Sequence, residues 1–172
     1  CLLNDQAVSA QNLIKNHNIN KILIIDLDVH QGNGTASIFK SNNKVYTFSM
    51  HGSKNYPFKK EKSDLDIPLD DNTDDELYLN ILKKTLPVLI NKVKPKFIFY
   101  LSGVDIMKSD KLGRLSLSLE GCKERDKIVF SNCKKNDIPV QCSMGGGYSR
   151  DIDLIVDAHF NTFKTAKKIF IN

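Results

Sequence analysis

The sequence predicts an α/β protein, with an open parallel sheet covered by helices on both faces in three layers. Two observations support this class. Short apolar runs alternate along the chain with stretches of helical periodicity, which is the order typical of parallel sheets. The run at residues 22–25 is unbroken and apolar, which indicates a strand buried on both faces. The 172 residues suffice for one core and nothing marks a linker, so residues 1–172 are expected to form one unit.

The first half of the chain predicts a β-α-β unit after an initial helix. That helix is predicted over residues 4–18 from Ala7, Ala10, Leu13 and Ile14, which recur at helical spacing. A strand is predicted over 21–26. A turn at 32–34 and a short helix through Phe39 lead to a second strand over 45–50. The segment 51–68 is predicted to be a long polar loop.

The second half of the chain predicts three more helices, which alternate with two strands. Leu77, Ile81, Val88 and Leu89 indicate a helix over 74–93, which Pro87 should kink or restart because proline lacks a backbone N–H. Strands are predicted over 97–101 and 138–142, separated by a long loop and a helix over 119–133. A last helix is predicted over 151–168.

The last predicted helix carries a continuous apolar stripe. We expect this stripe to face the core rather than a partner, since most amphipathic helices bury their apolar face. The stripe consists of Ile152, Ile155, Val156, Phe160 and Phe163.

Composition narrows the class of protein. The 25 basic residues exceed the 20 acidic ones, but the lysines are scattered, which indicates a solvated surface rather than direct nucleic-acid binding. Four cysteines without a CxxC pair suit a reducing compartment, so the expected location is cytoplasmic, or nuclear in a eukaryote. No signal peptide or membrane-spanning stretch is evident, which predicts a soluble protein. Because residue 1 is Cys rather than Met, we expect the chain to be truncated.

A row of possible metal ligands follows the first strand. Asp26, Asp28 and His30 are two residues apart, so on an extended chain they share a face. At roughly 3.3 Å per residue, the Cα atoms of Asp28 and His30 lie about 7 Å apart, close enough for both side chains to reach one ion. Asp26 is too distant unless the chain bends. It is therefore expected to orient a neighbouring group.

Three later loops should meet this row, because the carboxyl ends of parallel strands share one edge of the sheet. These loops are 49–52, 102–105 and 143–148. Asp105 offers a third ligand, and two Asp with one His form a set with an open fourth position, as in catalytic zinc sites. Tyr148 follows three glycines and could donate its phenol to an oxyanion.

Other interpretations of these residues remain. Two aspartates after a buried strand can bind Mg²⁺ for phosphoryl transfer, although His30 argues against an ion that prefers oxygen ligands. His30 could be a structural residue, and Asp105 a turn residue or helix cap. Gly145–Gly147 could hold a phosphate, but no Lys-Ser or Lys-Thr follows them.

Four blocks of sequence carry a resemblance to a known family. The blocks are Asp26-Leu-Asp-Val-His-Gln-Gly-Asn-Gly34, Ser102-Gly-Val-Asp-Ile-Met-Lys-Ser-Asp-Lys-Leu-Gly113, Leu115-Ser-Leu-Ser118 with Arg125-Asp126, and Gly145-Gly-Gly-Tyr148. With these blocks the chain resembles the zinc-dependent histone deacetylases over nearly its whole length, most closely their class IV branch. The resemblance implies the arginase/deacetylase fold, incomplete at its amino-terminal side.

The same resemblance implies roles for individual residues. Zn²⁺ would be held by Asp28, His30 and Asp105, and Tyr148 would stabilise the tetrahedral intermediate. A structural monovalent cation, K⁺ in this family, would be held by Asp26, Ser49 and the backbone of Asp28, His30 and Met50. The acyl-lysine tunnel would be lined by Tyr56, Leu112, Gly146 and Gly147.

The implied reaction is hydrolysis of acyl-lysine amides in a protein or peptide, with a histidine accepting the proton of water. In the family this histidine belongs to a His-His pair just upstream of the position of Cys1, and Asp26 and Asn33 would orient that pair. His17 and His159 lie on predicted helices away from the sheet edge, and His51 has no evident role as base. We therefore expect residues 1–172 to be the carboxyl-terminal portion of one catalytic domain, inactive in isolation.

The second hypothesis is a non-catalytic metal-binding remnant or interaction module of the same fold. Under either hypothesis, a truncated chain should expose a sheet edge and apolar helix faces, which predicts poor solubility. The oligomeric state is left open.

Overall fold

A computed structural model describes residues 3–171 and confirms the α/β class. The helices are α1 (Asp5–Asn16), α2 (Asn33–Phe39), α3 (Asp75–Val93), α4 (Leu119–Lys135) and α5 (Ile152–Phe170). The strands are β1 (Ile22–Asp26), β2 (Val45–Gly52), β3 (Leu65–Leu69), β4 (Phe97–Gly103) and β5 (Val140–Gly145). The four longer helices begin at a side chain that accepts an otherwise unpaired backbone N–H. These capping residues are Asn4, Asp74, Ser118 and Asp151.

The sheet has five parallel strands in the order β3-β2-β1-β4-β5. β1 lies at its centre and all five of its residues are buried. Asp26, at the carboxyl end of β1, is in register with Ser49 of β2 and with Leu101 of β4. The loops that follow these three strands therefore leave the sheet side by side.

Helices cover both faces, which confirms the three predicted layers. Alternate residues of β1 point to opposite faces, so Ile22 and Ile24 pack with α1 and α2, while Leu23 and Ile25 pack with α3, α4 and α5. Both groups of β1 residues are almost fully buried. The larger core lies on the α3–α5 side.

Strand β3 lies where the sequence predicted only loop, so that part of the 51–68 prediction was wrong. Its sequence includes Pro68, which is in register with His51 of β2. Proline is tolerated in an edge strand, which pairs on one side only. Because β3 is short and contains Pro68, its sequence does not match the pattern typical of a strand. At Pro87, α3 continues as one helix and does not restart, while the predicted kink stays a prediction.

The apolar stripe of α5 is mostly exposed, contrary to the expectation that it forms core. Exposed fractions are 57% for Val156 and 60% for Phe163, and Ile155 is the stripe residue that is partly buried. The buried face of α5 instead contains Ala158, Thr162 and Thr165. Apolar periodicity located the helix, but it did not show which side meets α4.

Within the described residues, no helix is long and apolar enough to cross a membrane.

Candidate metal centre

The chain turns away from the sheet directly after Asp26. The backbone N–H of Asp28 donates to Asp26 Oδ1 over 3.1 Å, and the N–H of His30 donates to Asp28 Oδ1 over 2.9 Å. Residues 27–30 are therefore not an extension of β1, and the strand spacing assumed for Asp28 and His30 was wrong. Asp26 and Asp28 each accept the backbone N–H of the residue two positions later, and the resulting turns bring the Asp28 and His30 side chains together.

Asp105 reaches the same place from the loop after β4. Its Oδ1 accepts the backbone N–H of Val29 over 2.9 Å, so the loop after β4 is bonded directly to the loop after β1. The Asp105 residue is 1% exposed. Because β1 and β4 are neighbours in the sheet, a carboxylate distant in sequence arrives beside His30.

The three predicted zinc ligands converge. His30 Nδ1 lies 3.0 Å from Asp28 Oδ1 and 3.2 Å from Asp105 Oδ2. One ligand atom from each of the three residues lies within 4.8 Å of the other two. A nitrogen and two carboxylate oxygens at this spacing form a donor set that fits Zn²⁺.

The electrostatics of the cluster favour a cation. The pKa of His30 is raised to about 10 by hydrogen bonds to Asp105 and Asp28. Burial raises the pKa of Asp105 to about 6, and burial followed by the nearby Asp28 raises the pKa of Asp26. In the metal-free protein, protonated His30 thus carries the positive charge that stabilises the ionised forms of Asp28 and Asp105. A metal ion at the same point would replace that proton.

Glycines allow the loops to approach this closely. A Cβ on Gly103 would lie 2.6 Å from the Cα of Asp28 and 2.8 Å from Asp105 Oδ1. Gly146 has a φ of +71°, and a Cβ there would lie 2.7 Å from the backbone nitrogen of Asp105. Any larger residue at either position would displace the candidate ligands. The predicted tunnel residue Gly146 therefore packs directly against the metal cluster.

Asp110, to which the sequence assigned no role, joins two predicted site segments. Its Oδ1 accepts the backbone N–H groups of Leu112 and Gly113 over 2.8 and 2.9 Å, and its Oδ2 accepts that of Tyr148 over 2.8 Å. The only sequence signal was an Asp placed before a glycine-containing turn. Tyr148 and Leu112 have largely exposed side chains, at 61% and 53%. Asp110 thus fixes the backbone from which both project.

Asn55 makes a similar connection for Tyr56. The buried Asn55 Nδ2 donates to the carbonyl of Leu112 over 2.7 Å. Lys60 donates to the carbonyls of Ser53, Asn55 and Pro57, which holds the loop around Tyr56 in shape. Tyr56, itself exposed, is therefore tied to Leu112 by its neighbour.

A second polar group lies where β1 and β2 end. Asp26 and Ser49 are paired in register, and the Ser49 hydroxyl lies 2.9 Å from Nδ1 of the buried His51. A Cβ on Gly32 would lie 2.3 Å from Asp26 Oδ2, so the backbone closes over that carboxylate. Met50 is fully buried beside them. The structure brings together Asp26, Ser49 and Met50, and their role in holding a monovalent cation remains a prediction.

A cavity of about 580 Å³ opens beside these carboxylates. Its lining includes Asp26, Asp28 and Asn33, together with the start of α1, Gly145 and Gly146. Of the histidines among residues 3–171, His30 alone lies at the carboxylate cluster. His17 caps α1, His51 contacts Ser49 and His159 lies on α5.

Comparisons with known proteins identify relatives of the chain. An uncharacterized protein of Picosynechococcus sp. is 41% identical over 170 residues, which cover 99% of this chain and 57% of that protein. Histone deacetylase 2 of Arabidopsis thaliana is 33% identical over 135 residues, which cover 77% of this chain and 35% of that protein. The chain therefore spans little more than half of the first relative and about a third of the second.

A solved structure shares the fold. The acetylpolyamine aminohydrolase from Burkholderia pseudomallei matches 98% of this chain and 51% of its own, with a TM-score of 0.83 and 19% identity. Residues 1–163 match the histone deacetylase domain family. This range includes Asp28, His30 and Asp105, whose roles stay predictions. The chain belongs to the histone deacetylase domain family.

Proposed function

We propose that the protein is a zinc-dependent hydrolase that removes acyl groups from lysine side chains of proteins or peptides. Residues 1–172 would be the carboxyl-terminal portion of one catalytic domain, closest to the class IV branch. The observation that carries the proposal is the convergence of Asp28, His30 and Asp105 in a chain of this family.

Asp28, His30 and Asp105 would hold the zinc ion. When bound, zinc would polarise the substrate carbonyl and acidify water. The two carboxylates compensate most of the charge of the ion, and the hydrogen bonds through Val29 N–H and His30 N–H keep the ligand oxygens in place. These bonds reduce the reorganisation needed when an ion binds.

The phenol hydroxyl of Tyr148 would donate a hydrogen bond to the substrate oxygen that becomes negative as the amide is attacked. Tyr56 and Leu112 offer aromatic and apolar surface to the methylene chain of an acyl-lysine, and Gly146 and Gly147 let that chain pass close to the backbone. The hydrogen bonds of Asp110 and Asn55 support this arrangement, because they join the segments that carry these side chains.

Asp26, Ser49 and the backbone of Asp28, His30 and Met50 would hold a structural K⁺, which would offset the burial of the Asp26 carboxylate. Asp26 and Asn33 line the cavity beside Asp28 and would orient the histidine pair that accepts the proton of water. Residues 3–171 place no second histidine at the cluster. We therefore propose that the isolated chain binds zinc but does not turn over substrate.

The partner implied is an acyl-lysine protein or peptide, without direct binding to nucleic acid. Cys122, Cys133 and Cys142 are free thiols, which supports a reducing location in the cytoplasm or, in a eukaryote, the nucleus.

The second candidate is a non-catalytic metal-binding module of the same fold. It is favoured by the single histidine at the cluster among the described residues. Reading the coding DNA upstream of Cys1 separates the two candidates. An in-frame segment that encodes the His-His pair supports the enzyme, and an interrupted or unrelated segment supports the module.

If the segment is present, the complete polypeptide should hydrolyse acetyl-lysine and longer acyl-lysine peptides. Asp28→Ala and Tyr148→Phe should each remove nearly all activity, but only Asp28→Ala should remove zinc. The matched control is Tyr46→Phe, because Tyr46 lies on β2 away from the cluster, and this variant should keep both properties. A complete polypeptide that binds zinc without hydrolysing any of these peptides would contradict the enzyme proposal.

A further inference from the structure

Arg125 is a fully buried charge that lies beneath the metal cluster. It belongs to α4, is 0% exposed, and is the largest of the fully buried side chains. A buried guanidinium is unfavourable unless its donors are paired. The partners of Arg125 therefore show what holds it there.

Two of these partners are backbone carbonyls close in sequence to the candidate ligands. Arg125 Nη1 donates to the carbonyl of Gly103 and, over 3.4 Å, to the carbonyl of Leu27. Leu27 directly precedes Asp28, and Gly103 lies two residues before Asp105. One nitrogen thus bridges the two chain segments that supply the candidate carboxylate ligands.

The guanidinium is itself held in place. Its Nε donates to Asp126 Oδ1 over 3.0 Å, and Nη2 makes an ion-pair contact with the same oxygen at 2.9 Å. Asp126 also accepts the Tyr100 hydroxyl over 2.5 Å and the Thr162 hydroxyl over 2.6 Å. The acid is therefore anchored to β4 and to α5. Arg125 cannot move toward either loop without breaking these contacts.

We propose that Arg125 is a positioning residue that sets the separation of the Asp28 and Asp105 loops, and hence the affinity and geometry of the metal centre. This inference rests on the proposed zinc site. The guanidinium bonds to the two carbonyls through Nη1 and to the Asp126 carboxylate through Nε, whereas the single nitrogen of a lysine ammonium would have to give up either the carbonyls or the carboxylate. If Arg125 only filled space in the core, an apolar side chain of similar size could replace it without these hydrogen bonds.

The test compares Arg125→Met and Arg125→Lys with wild type and with Leu82→Ala. Leu82 is fully buried on α3, makes no contact of this kind with the ligand loops, and its truncation lowers the melting temperature through packing alone. Zinc affinity is measured by competition with a chromophoric chelator. The geometry of the site is measured from the visible absorption of bound Co²⁺.

We expect both Arg125 variants to lose roughly 10- to 100-fold in zinc affinity and to change the Co²⁺ spectrum. Leu82→Ala should keep the affinity and spectrum of wild type in spite of its lower melting temperature. Wild-type affinity and spectrum in Arg125→Lys, or in a folded Arg125→Met, would overturn the proposal. If the Met variant does not fold, the Lys variant decides, with Thr162→Val as a milder change that releases only one anchor of Asp126.

A second readout does not depend on metal. In the metal-free chain, amide hydrogen exchange of residues 27–30 and 103–106 should be faster in Arg125→Lys than in wild type, while that of the rest of the sheet is unchanged. Failure of the wild-type chain to bind zinc would contradict the proposed function, but locally faster exchange would still support the positioning role. Unchanged exchange in both loops would contradict the positioning role.

Discussion

His30 Nδ1 lies 3.2 Å from Asp105 Oδ2, and this contact joins the chain segments that follow β1 and β4. The two strands are paired in parallel at the centre of the sheet, so their carboxyl ends open at the same point. Asp105 is nearly fully buried, whereas the His30 side chain is 29% exposed. The pair therefore presents one ligand from the protein interior and one from the surface.

The protonation of His30 should make metal binding depend on pH. Its pKa is raised to about 10 by Asp105 and Asp28, so at neutral pH a metal ion must displace a proton from it. Raising the pH removes this competition, and the apparent zinc affinity should increase about tenfold per pH unit between about pH 6.5 and about pH 8.5. Below about pH 6 the dependence should steepen, because Asp105 then also binds a proton.

Calorimetric titration in buffers of different ionisation enthalpy counts the protons released. His17→Ala is the control, since His17 caps α1 far from the cluster and should leave the pH dependence unchanged. A zinc affinity that stayed constant across this range would show that the two carboxylates do not keep His30 protonated.

Gly103→Ala should abolish tight metal binding without unfolding the chain. The added methyl would lie 2.6 Å from the Cα of Asp28, so the two ligand loops must move apart. Overpacking of this kind costs about 1–3 kcal/mol in stability. Gly34→Ala is the matched control, because the nearest atom to its new methyl is 4.0 Å away. Zinc titration and urea denaturation of both variants check the prediction. Equal zinc affinities of Gly103→Ala and Gly34→Ala would refute it.

The sequence predicted the sheet and the grouping of the candidate ligands because their signals are local. The buried run of β1, the acids that follow it and the glycines before Tyr148 can each be read without knowing what packs against them. Strand β3 could not be read in this way, because its few residues and Pro68 are stabilised by pairing with β2. Sequence periodicity likewise could not show that α5 meets α4 through Ala158 and Thr162.

The site was predicted through partly incorrect geometry. The grouping of Asp28 with His30 assumed an extended strand, but the side chains meet because each aspartate holds the amide two residues ahead. Such turns depend on hydrogen bonds that alternation patterns do not encode. The role of Asp110 was missed for the same reason, since two of its partners lie in its own loop and the third follows β5.

Asp110→Ala should loosen the segment that carries Tyr148. It removes the acceptor of three partly buried backbone N–H groups, and leaving such donors unpaired costs about 1 kcal/mol, at the low end of the cost for buried donors. Asp110→Asn keeps one acceptor oxygen and should cost less. Amide exchange at Tyr148 and Leu112 should be faster in the alanine variant, while zinc affinity changes little. The exposed Asp70 provides the control, and Asp70→Ala should alter neither property.

The exposed stripe of α5 predicts a substitution that improves solution behaviour at almost no cost in stability. Phe163 is 60% exposed, and Phe and Ser have similar helix propensities, so Phe163→Ser should change the free energy of unfolding by less than about 0.5 kcal/mol. The buried Phe130 of α4 is the contrasting position, where Phe130→Ala should cost about 3–5 kcal/mol.

Because exposed apolar patches promote association, combining Phe163→Ser with Val156→Ser should lower light scattering at high protein concentration. Urea denaturation and light scattering measure these effects. A loss for Phe163→Ser as large as that for Phe130→Ala would show that the stripe is buried in solution, as the sequence pattern alone predicted.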